Sequence, residues 1–267
     1  MADLADLPGL DVLIPVTAPV RVLAPRSDEA ELIALFAEGT PAGPHVRANM
    51  VSTIDGAATG ANRLSGSING PADLRVFRVL RALADVVLVG AGTARAERYA
   101  PLEVPAELRA ARAALGRRAE LELAVVTVSG ELPDALLDTD RPPLVLTTGS
   151  APSLGALRMR LGADRVIVTD GDVQGAIDPR AALAALGERG LVHVLAEGGP
   201  TLLAQLVDAD LVDELCLTWS PQLVGGPAGR VTHLPTWFTP PRSLTLQHLL
   251  HADGVLLGRW QVVRLGS

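Results

Sequence analysis

Lysine is missing from all 267 residues: the 23 basic side chains are arginines, set against 30 acidic ones. Any anion held by this chain must therefore meet guanidinium, hydroxyl or backbone N–H groups, and guanidinium grips phosphate through a planar fork. Cysteine is almost absent. The single Cys216 excludes an internal disulfide framework and a Cys-rich zinc site, and its setting in Glu-Leu-Cys-Leu-Thr reads as a buried, inert thiol on a strand. No apolar run approaches the ~18 residues of a membrane span. No basic stretch precedes an apolar one at the start, so a secretory signal is not expected and a cytoplasmic protein is. The formal charge of −7 argues against general binding to nucleic-acid phosphates. A His-Glu-x-x-His pair is lacking, so no catalytic metal is expected, and without a Gly-x-Ser-x-Gly elbow Ser-His-Asp acyl transfer has no support.

What is present is a chain that is 48% hydrophobic, mostly Ala, Leu and Val in short runs, with ample material for a core. It is organised around residues 191–201, Leu-Val-His-Val-Leu-Ala-Glu-Gly-Gly-Pro-Thr. An apolar strand ends at Glu197, turns through Gly198 and Gly199, and launches a helix at Pro200–Thr201, where proline suits the first turn. The free N–H groups and positive dipole end of such a helix attract an anion. Residues 86–93, Val-Val-Leu-Val-Gly-Ala-Gly-Thr, repeat the device, with a short helical stretch after Thr93. Each corner alone is an ordinary strand–turn–helix junction. The second fits neither the dinucleotide fingerprint nor the Walker A loop. Together they suggest two helix starts aimed at one polyphosphate ligand.

Before residue 46 the prolines of Leu10–Val22 predict an extended lead-in, and Ser27–Glu31 caps a helix with Leu32, Ile33, Leu35 and Phe36 on its apolar face. Residues 1–45 read as an N-terminal extension packed on a main domain of residues 46–267. Val46–Gly56 reads as a strand on which Asn49 and Ser52 face opposite sides, with a turn at Asp55-Gly56. The polar, glycine-rich stretch 57–70 is too polar to pack and is expected to be a mobile lid. Pro71 opens a helix with Val76, Phe77, Leu80 and Leu83 on one face, Asp73 in its first turn, and Arg75, Arg78 and Arg81 as a basic stripe. Strands follow at 123–128, 143–147, 165–169 and 211–220. Helices are expected near 105–118, up to about Leu161, and over Pro179–Arg189 with Asp178 as cap. Leu244–His251 and Val255–Arg264 form a hairpin about Asp253-Gly254. His193 reads as an inter-strand partner, and His248 and His251 point to opposite faces.

Asn49–Gly56, Ala84–Thr93, Leu195–Leu202, Val212–Glu214 and Leu223–Gly226 resemble, in order, the reductase domain of bacterial riboflavin biosynthesis. That is the 5-amino-6-(5-phosphoribosylamino)uracil reductase family, related in fold to dihydrofolate reductase. The zinc motif of the family's fused deaminase is missing. The resemblance implies a dihydrofolate reductase-like three-layer αβα sandwich, with a mixed, mainly parallel central sheet and an antiparallel C-terminal hairpin. It implies NADPH as cofactor, a phosphorylated pyrimidine as substrate, and a homodimer with no nucleic-acid or membrane partner. Carried over residue by residue, cofactor would meet Gly92, Thr93, Glu97 (an Asp in the family), Thr127, Ser129, Val168, Gly198, Gly199, Pro200 and Thr201. Substrate would meet Asn49, Ser52, Arg81 as a phosphate clamp, and Glu197. Where the family reads Asp-Pro-x-Leu-Thr, this chain has Arg98-Tyr99-Ala100-Pro101-Leu102. Pro71–Leu74 resembles the dihydrofolate reductase segment carrying the acid that bonds the pterin ring. Asp73 or Asp55 is then the catalytic carboxylate beside a protonated imine. Alternatives are a dihydrofolate or pterin reductase, and a non-catalytic NADPH-binding protein.

Overall fold

The computed structural model describes residues 6–173 and 175–266; residues 1–5 of the expected N-terminal extension lie outside that range. In chain order the strands are β1 (Leu10–Ile14), β2 (Arg21–Leu23), β3 (His45–Thr53), β4 (Val86–Gly90), β5 (Glu122–Val126), β6 (Leu144–Thr147), β7 (Val166–Val168), β8 (His193–Ala196), β9 (Glu214–Ser220), β10 (Leu244–Ala252) and β11 (Val255–Val262). They form one 11-stranded sheet in the order β2-β1-β10-β11-β9-β3-β8-β4-β5-β6-β7. From β9 through β3, β8, β4, β5 and β6 to β7 every pairing is parallel. From β2 to β9 every pairing is antiparallel, including the β10–β11 hairpin that turns at Asp253-Gly254. The helices are α1 (Ala30–Ala37), α2 (Pro71–Leu83), α3 (Ala91–Ala96), α4 (Arg109–Ala114), α5 (Asp134–Leu137), α6 (Leu154–Leu161), α7 (Pro179–Gly187) and α8 (Pro200–Asp208).

Two cores explain why the central strands read as unbroken apolar runs. Val87, Val89 and Leu195 pack with Leu32, Phe36, Val76 and Leu80 of α1 and α2. Their neighbours Val86, Leu88 and Val194 pack with Leu186, Leu203 and Leu206 of α7 and α8. A strand buried on both faces has no polar side to alternate with. The result is the expected helix–sheet–helix sandwich. Cys216 lies in the first core, where burial pushes its thiol up to about 12. Among the described residues no helix is long and apolar enough to cross a membrane.

Several local expectations are corrected. The lead-in is more than extended: β1 pairs with β10 and continues the sheet. α1 forms, but Glu29 at its start makes no cap bond, because its carboxylate is turned to Arg75. The helix expected over 105–118 is a turn of 3-10 helix followed by the six-residue α4, ended by Gly116 at φ +71°. Two members of the Arg75–Arg78–Arg81 stripe, Arg75 and Arg81, are paired with carboxylates rather than left to solvent. Arg75 is 2% exposed, and its guanidinium pairs with both Glu29 oxygens and with the carbonyls of Pro8, Leu23 and Ala24. It therefore fastens the N-terminal strands to α2. Stretch 57–70 does pack: Ala57, Ala58 and Ile68 are buried, and Ser65 donates from both its N–H and its hydroxyl to Glu97 at 2.7 and 2.9 Å. Its polarity is deceptive because three small apolar anchors hold it down.

Candidate active site

The two glycine corners stand side by side. β4 and β8 are sheet neighbours, and at their carboxyl ends Gly90 N–H donates to Gly198 O at 2.8 Å. Gly198 sits at φ +88° and is joined to Gly199 by a cis peptide. A Cβ on Gly199 would lie 2.6 Å from Thr93 Oγ1, so only glycine lets the corners approach this closely. α8 starts with Gly199 as N-cap and Pro200 at its first turn, without a side-chain cap. α3 likewise starts on Gly90, two residues earlier than the sequence suggests. Uncapped first turns leave backbone N–H groups for an anion.

Three adjoining cavities run along this rim. The first, about 430 Å³, is lined by Asn49, Asp73, Arg81, Gly92, Thr93, Glu97, Glu197, Gly199 and Pro200, together with residues of 57–70. The second, about 530 Å³, shares Gly92 and adds Arg95, Thr127, Ser129 and Ser150. The third, about 330 Å³, shares Val126 and Val128 with the second and adds Gly90, Thr201 and Gln205. Such a chain of hollows past the strand ends, floored by glycine, fits an elongated dinucleotide.

Asp73 is the unusual group in the first cavity. The extended Gly70 and Pro71 place it in the first turn of α2, where it is 5% exposed. Its Oδ1 accepts from the Thr218 hydroxyl of β9 at 2.7 Å. Burial raises its pKa to about 6, against the pull of the Thr218 bond. A carboxyl so tuned exchanges a proton near neutrality. Glu197 closes the end of β8. Arg81 grips it with two bonds, Nε–Oε1 at 2.7 Å and Nη2–Oε2 at 2.8 Å, and Tyr99 donates to Oε2 at 2.5 Å. Burial and the Glu197 carboxylate push the Tyr99 phenol well above its ordinary value. The guanidinium of Arg81 also lies 4.1 Å from the centre of the Phe77 ring.

The structure thus brings together Asn49, Asp73, Arg81, Glu197, Gly92, Thr93, Glu97, Gly199 and Pro200. Gly198 lies behind them in the corner. Thr127 and Ser129 line the second cavity and Thr201 the third. Three expected residues fall elsewhere. Ser52 points away from Asn49 and spends its buried hydroxyl on Thr53 O at 3.0 Å. Asp55 is an exposed loop tie that accepts from the Thr53 hydroxyl and from the N–H groups of Val224 and Gly225 at 3.1 and 2.7 Å. Those bonds, the Thr53 hydroxyl first, hold its carboxylate below the usual range. Val168 ends β7, two strands beyond β5, and lines none of the three cavities. Arg81 is not an open phosphate clamp, because the Nε–Nη2 edge of its guanidinium is spent on Glu197, which balances its charge. Residues the sequence reading passed over are Thr218, Phe77, Tyr99, Arg63, Ser65 and Arg95. The break from Asp-Pro-x-Leu-Thr at Tyr99 was the one signal available for any of them.

A family model described as the RibD C-terminal domain matches residues 44–263. A 2,5-diamino-6-ribosylamino-4(3H)-pyrimidinone 5′-phosphate reductase of Archaeoglobus fulgidus is 28% identical over 185 residues, covering 68% of this chain and 83% of that one. The enzyme of the same name from Methanothermobacter thermautotrophicus is 28% identical over 187 residues, covering 68% and 80%. Among solved structures, a pyrimidine reductase-like protein from Corynebacterium diphtheriae superposes with a TM-score of 0.75 at 27% identity, covering 87% of this chain and 99% of that one. RibD of Acinetobacter baumannii shares the fold at a TM-score of 0.64 and 23% identity, with 88% of this chain matched to 62% of the longer protein.

Proposed function

This chain belongs to the RibD C-terminal domain family, and on that premise we propose that it is an NADPH-dependent reductase of a phosphoribosylamino-pyrimidine. The reaction is 5-amino-6-(5-phosphoribosylamino)uracil to 5-amino-6-(5-phosphoribitylamino)uracil, or the same step on the 2-amino ring named for the archaeal relatives. The two substrates differ at ring position 2 and share the ribosylamino phosphate on which the chemistry occurs. One observation carries the reading: Asn49, Asp73, Arg81 and Glu197 converge on the cavity that also takes in Gly92, Thr93 and Gly199. A protein that only bound nucleotide would have no need of that convergence. The proposal includes a reductase domain of residues 46–267 with an extension of residues 1–45, acting as a cytoplasmic homodimer.

When bound, the dihydronicotinamide supplies a hydride to C1′ of the ring-opened ribosylamine. Asp73 in its protonated form donates to the nitrogen on C1′, so that carbon gains the hydride and nitrogen gains the proton. The resulting carboxylate is reprotonated from solvent. Glu197, gripped by Arg81 and Tyr99, accepts from ring N–H groups and fixes the pyrimidine. Asn49 supplies a further donor and acceptor. Thr93 and the two glycine corners receive the cofactor's phosphates through hydroxyl and backbone N–H groups. The segment 57–70, folded over the cavity, keeps water from the reacting carbon.

The substrate phosphate needs a cation, and Arg81 is neutralised by Glu197. Arg63, exposed on the rim in Gly60–Leu64, supplies one; its side chain forms no ion pair or hydrogen bond among the described residues. Arg63→Gln is expected to raise KM for the phosphorylated substrate about 10–100-fold, the worth of a charge-assisted pair. KM for the dephosphorylated nucleoside should not change. Equal effects on both would remove Arg63 from this role. Turnover compared across the two pyrimidines and dihydrofolate tests the reading itself: faster reduction of dihydrofolate would make this a pterin reductase.

A further inference from the structure

A smaller hollow, about 70 Å³, lies at the opposite end of the strands from the active site. His45 and Arg47 at the start of β3 line it, with Arg117 just beyond α4. Ala37 at the end of α1 and Leu83 at the end of α2 supply apolar wall, and the exposed Leu115 marks the mouth. Among the described residues no carboxylate lines it. Arg47 spends Nε on Glu214 and Nη2 on Phe36 O and Thr40 Oγ1, which leaves Nη1. Arg117 donates Nε to Leu83 O at 3.0 Å and has Nη1 3.9 Å from Asp85, which leaves Nη2. His45 Nε2 is buried 3.5 Å from Glu214 Oε2 and makes no hydrogen bond. His193 also lines the hollow, but its ring already meets Asp85 Oδ2 at 3.1 Å and Pro41 O at 2.9 Å.

The charges around this hollow do not balance. Arg47 and Arg259 share Glu214, and Arg112 and Arg117 share Asp85. Asp213, beside His45, is paired with Arg264. All four sharing arginines also donate to carbonyls at the carboxyl ends of α1 and α2. Each helix end offsets roughly half a charge, so about one positive charge is left over before either histidine is counted. Burial first, and the Arg47 charge with it, hold the Arg117 guanidinium below its ordinary value in spite of Asp85. Two guanidiniums with unspent N–H groups at one apolar-walled hollow call for an anion between them.

We propose that this hollow is a second ligand site, taking a short-chain monocarboxylate whose oxygens accept from Arg47, Arg117 and His45 and whose carbons lie against Leu83 and Leu115. A single negative charge matches the unbalanced one. The volume is about that of two waters in the liquid, room for the carboxylate head and its first carbons. The site stands apart from the reductase reading, because none of its residues lines the active-site rim.

Calorimetric titration of the whole chain with sodium propionate at fixed ionic strength tests it, with 1-propanol as the uncharged analogue and inorganic phosphate as the rival anion. Wild type should take up one propionate saturably and 1-propanol at least about 10-fold more weakly. Arg117→Gln should weaken propionate about 10-fold or more. Ala37→Leu plugs the hollow, keeps every charge, and should weaken it as much, so the reading survives if the arginine variant does not fold. Arg63→Gln, on the active-site rim, should leave propionate affinity unchanged. The proposal is overturned by wild type without saturable uptake, by 1-propanol binding as well as propionate, or by phosphate binding more tightly than either. A folded Arg117→Gln or Ala37→Leu variant that binds propionate as wild type does, or a loss in Arg63→Gln, overturns it too.

Discussion

Asp73→Asn is expected to lower turnover about 10²–10⁴-fold, the span of a positioned proton donor. Cofactor affinity should stay within about two-fold, because a group acting only in the chemical step leaves ground-state binding alone. Equal losses in both would make Asp73 a structural cap of α2. The pH dependence gives a second readout. With its pKa raised to about 6 by burial, Asp73 is protonated below that pH and ionised above it. An acid that donates its proton predicts turnover that falls as pH rises through about 6, and a flat profile over that range for the Asn variant. Stability falls with pH in the same direction as activity, over a window that starts lower. The folded value lies above the unfolded 3.8, so the fold is favoured by protonation, and stability is lost as pH rises from about 4 to about 6. Asn removes that penalty, and at neutral pH the variant should unfold about 1–3 kcal/mol harder than wild type. A slower but more stable enzyme is the signature of a carboxyl kept buried for its chemistry.

The second large effect lies away from the site, under β3, β9 and β11. Glu214 is 6% exposed and receives Arg47 Nε at 2.6 Å and Arg259 through Nε at 3.0 Å and Nη2 at 2.5 Å, with His45 Nε2 at 3.5 Å. Burial pushes its carboxyl up, but the His45 contact and the Arg47 and Arg259 guanidiniums outweigh it and hold the pKa far below the usual range. The same two arginines donate to Phe36 O, Leu35 O and Glu38 O at the end of α1, where positive charge is favoured. Glu214→Gln keeps the shape and leaves two buried cations unbalanced. Loss of one partner from such a cluster costs about 3–5 kcal/mol. A fall of the urea midpoint without a change in slope would register it, and an unmoved midpoint would show that the two arginines find other anions. Because Glu214 is already ionised well below its ordinary range, wild type should hold this contribution through mildly acid pH.

What the sequence made legible follows from periodicity and turn chemistry. The apolar runs at 86–89 and 193–196 mark strands covered on both faces, and Gly-Gly-Pro-Thr marks a helix start whatever surrounds it. Asn49 against Ser52 was readable because a strand alternates. The side chains misread were those whose partners are distant in the chain. Arg75 and Arg81 look like one solvated stripe, yet their carboxylates, Glu29 and Glu197, lie 46 and 116 positions away. Asp55 looked like a catalytic acid because nothing nearby shows that Val224 and Gly225 come back to bind it. The segment 57–70 looked unpackable because three anchors count for little in its composition. Thr218 carries no motif at all; it matters only because β9 runs beside β3 and under the start of α2.

The central claim is that glycine corners on two neighbouring strands hold one dinucleotide against a cavity armed with Asp73. The most direct measurement is the near-ultraviolet absorbance of NADPH mixed with purified protein and the phosphoribosylamino-pyrimidine. The account predicts oxidation well above background, one ribityl product per cofactor consumed, with NADH a poor substitute. Bound NADPH and bound pyrimidine, each verified by calorimetry, with no change in absorbance would contradict it.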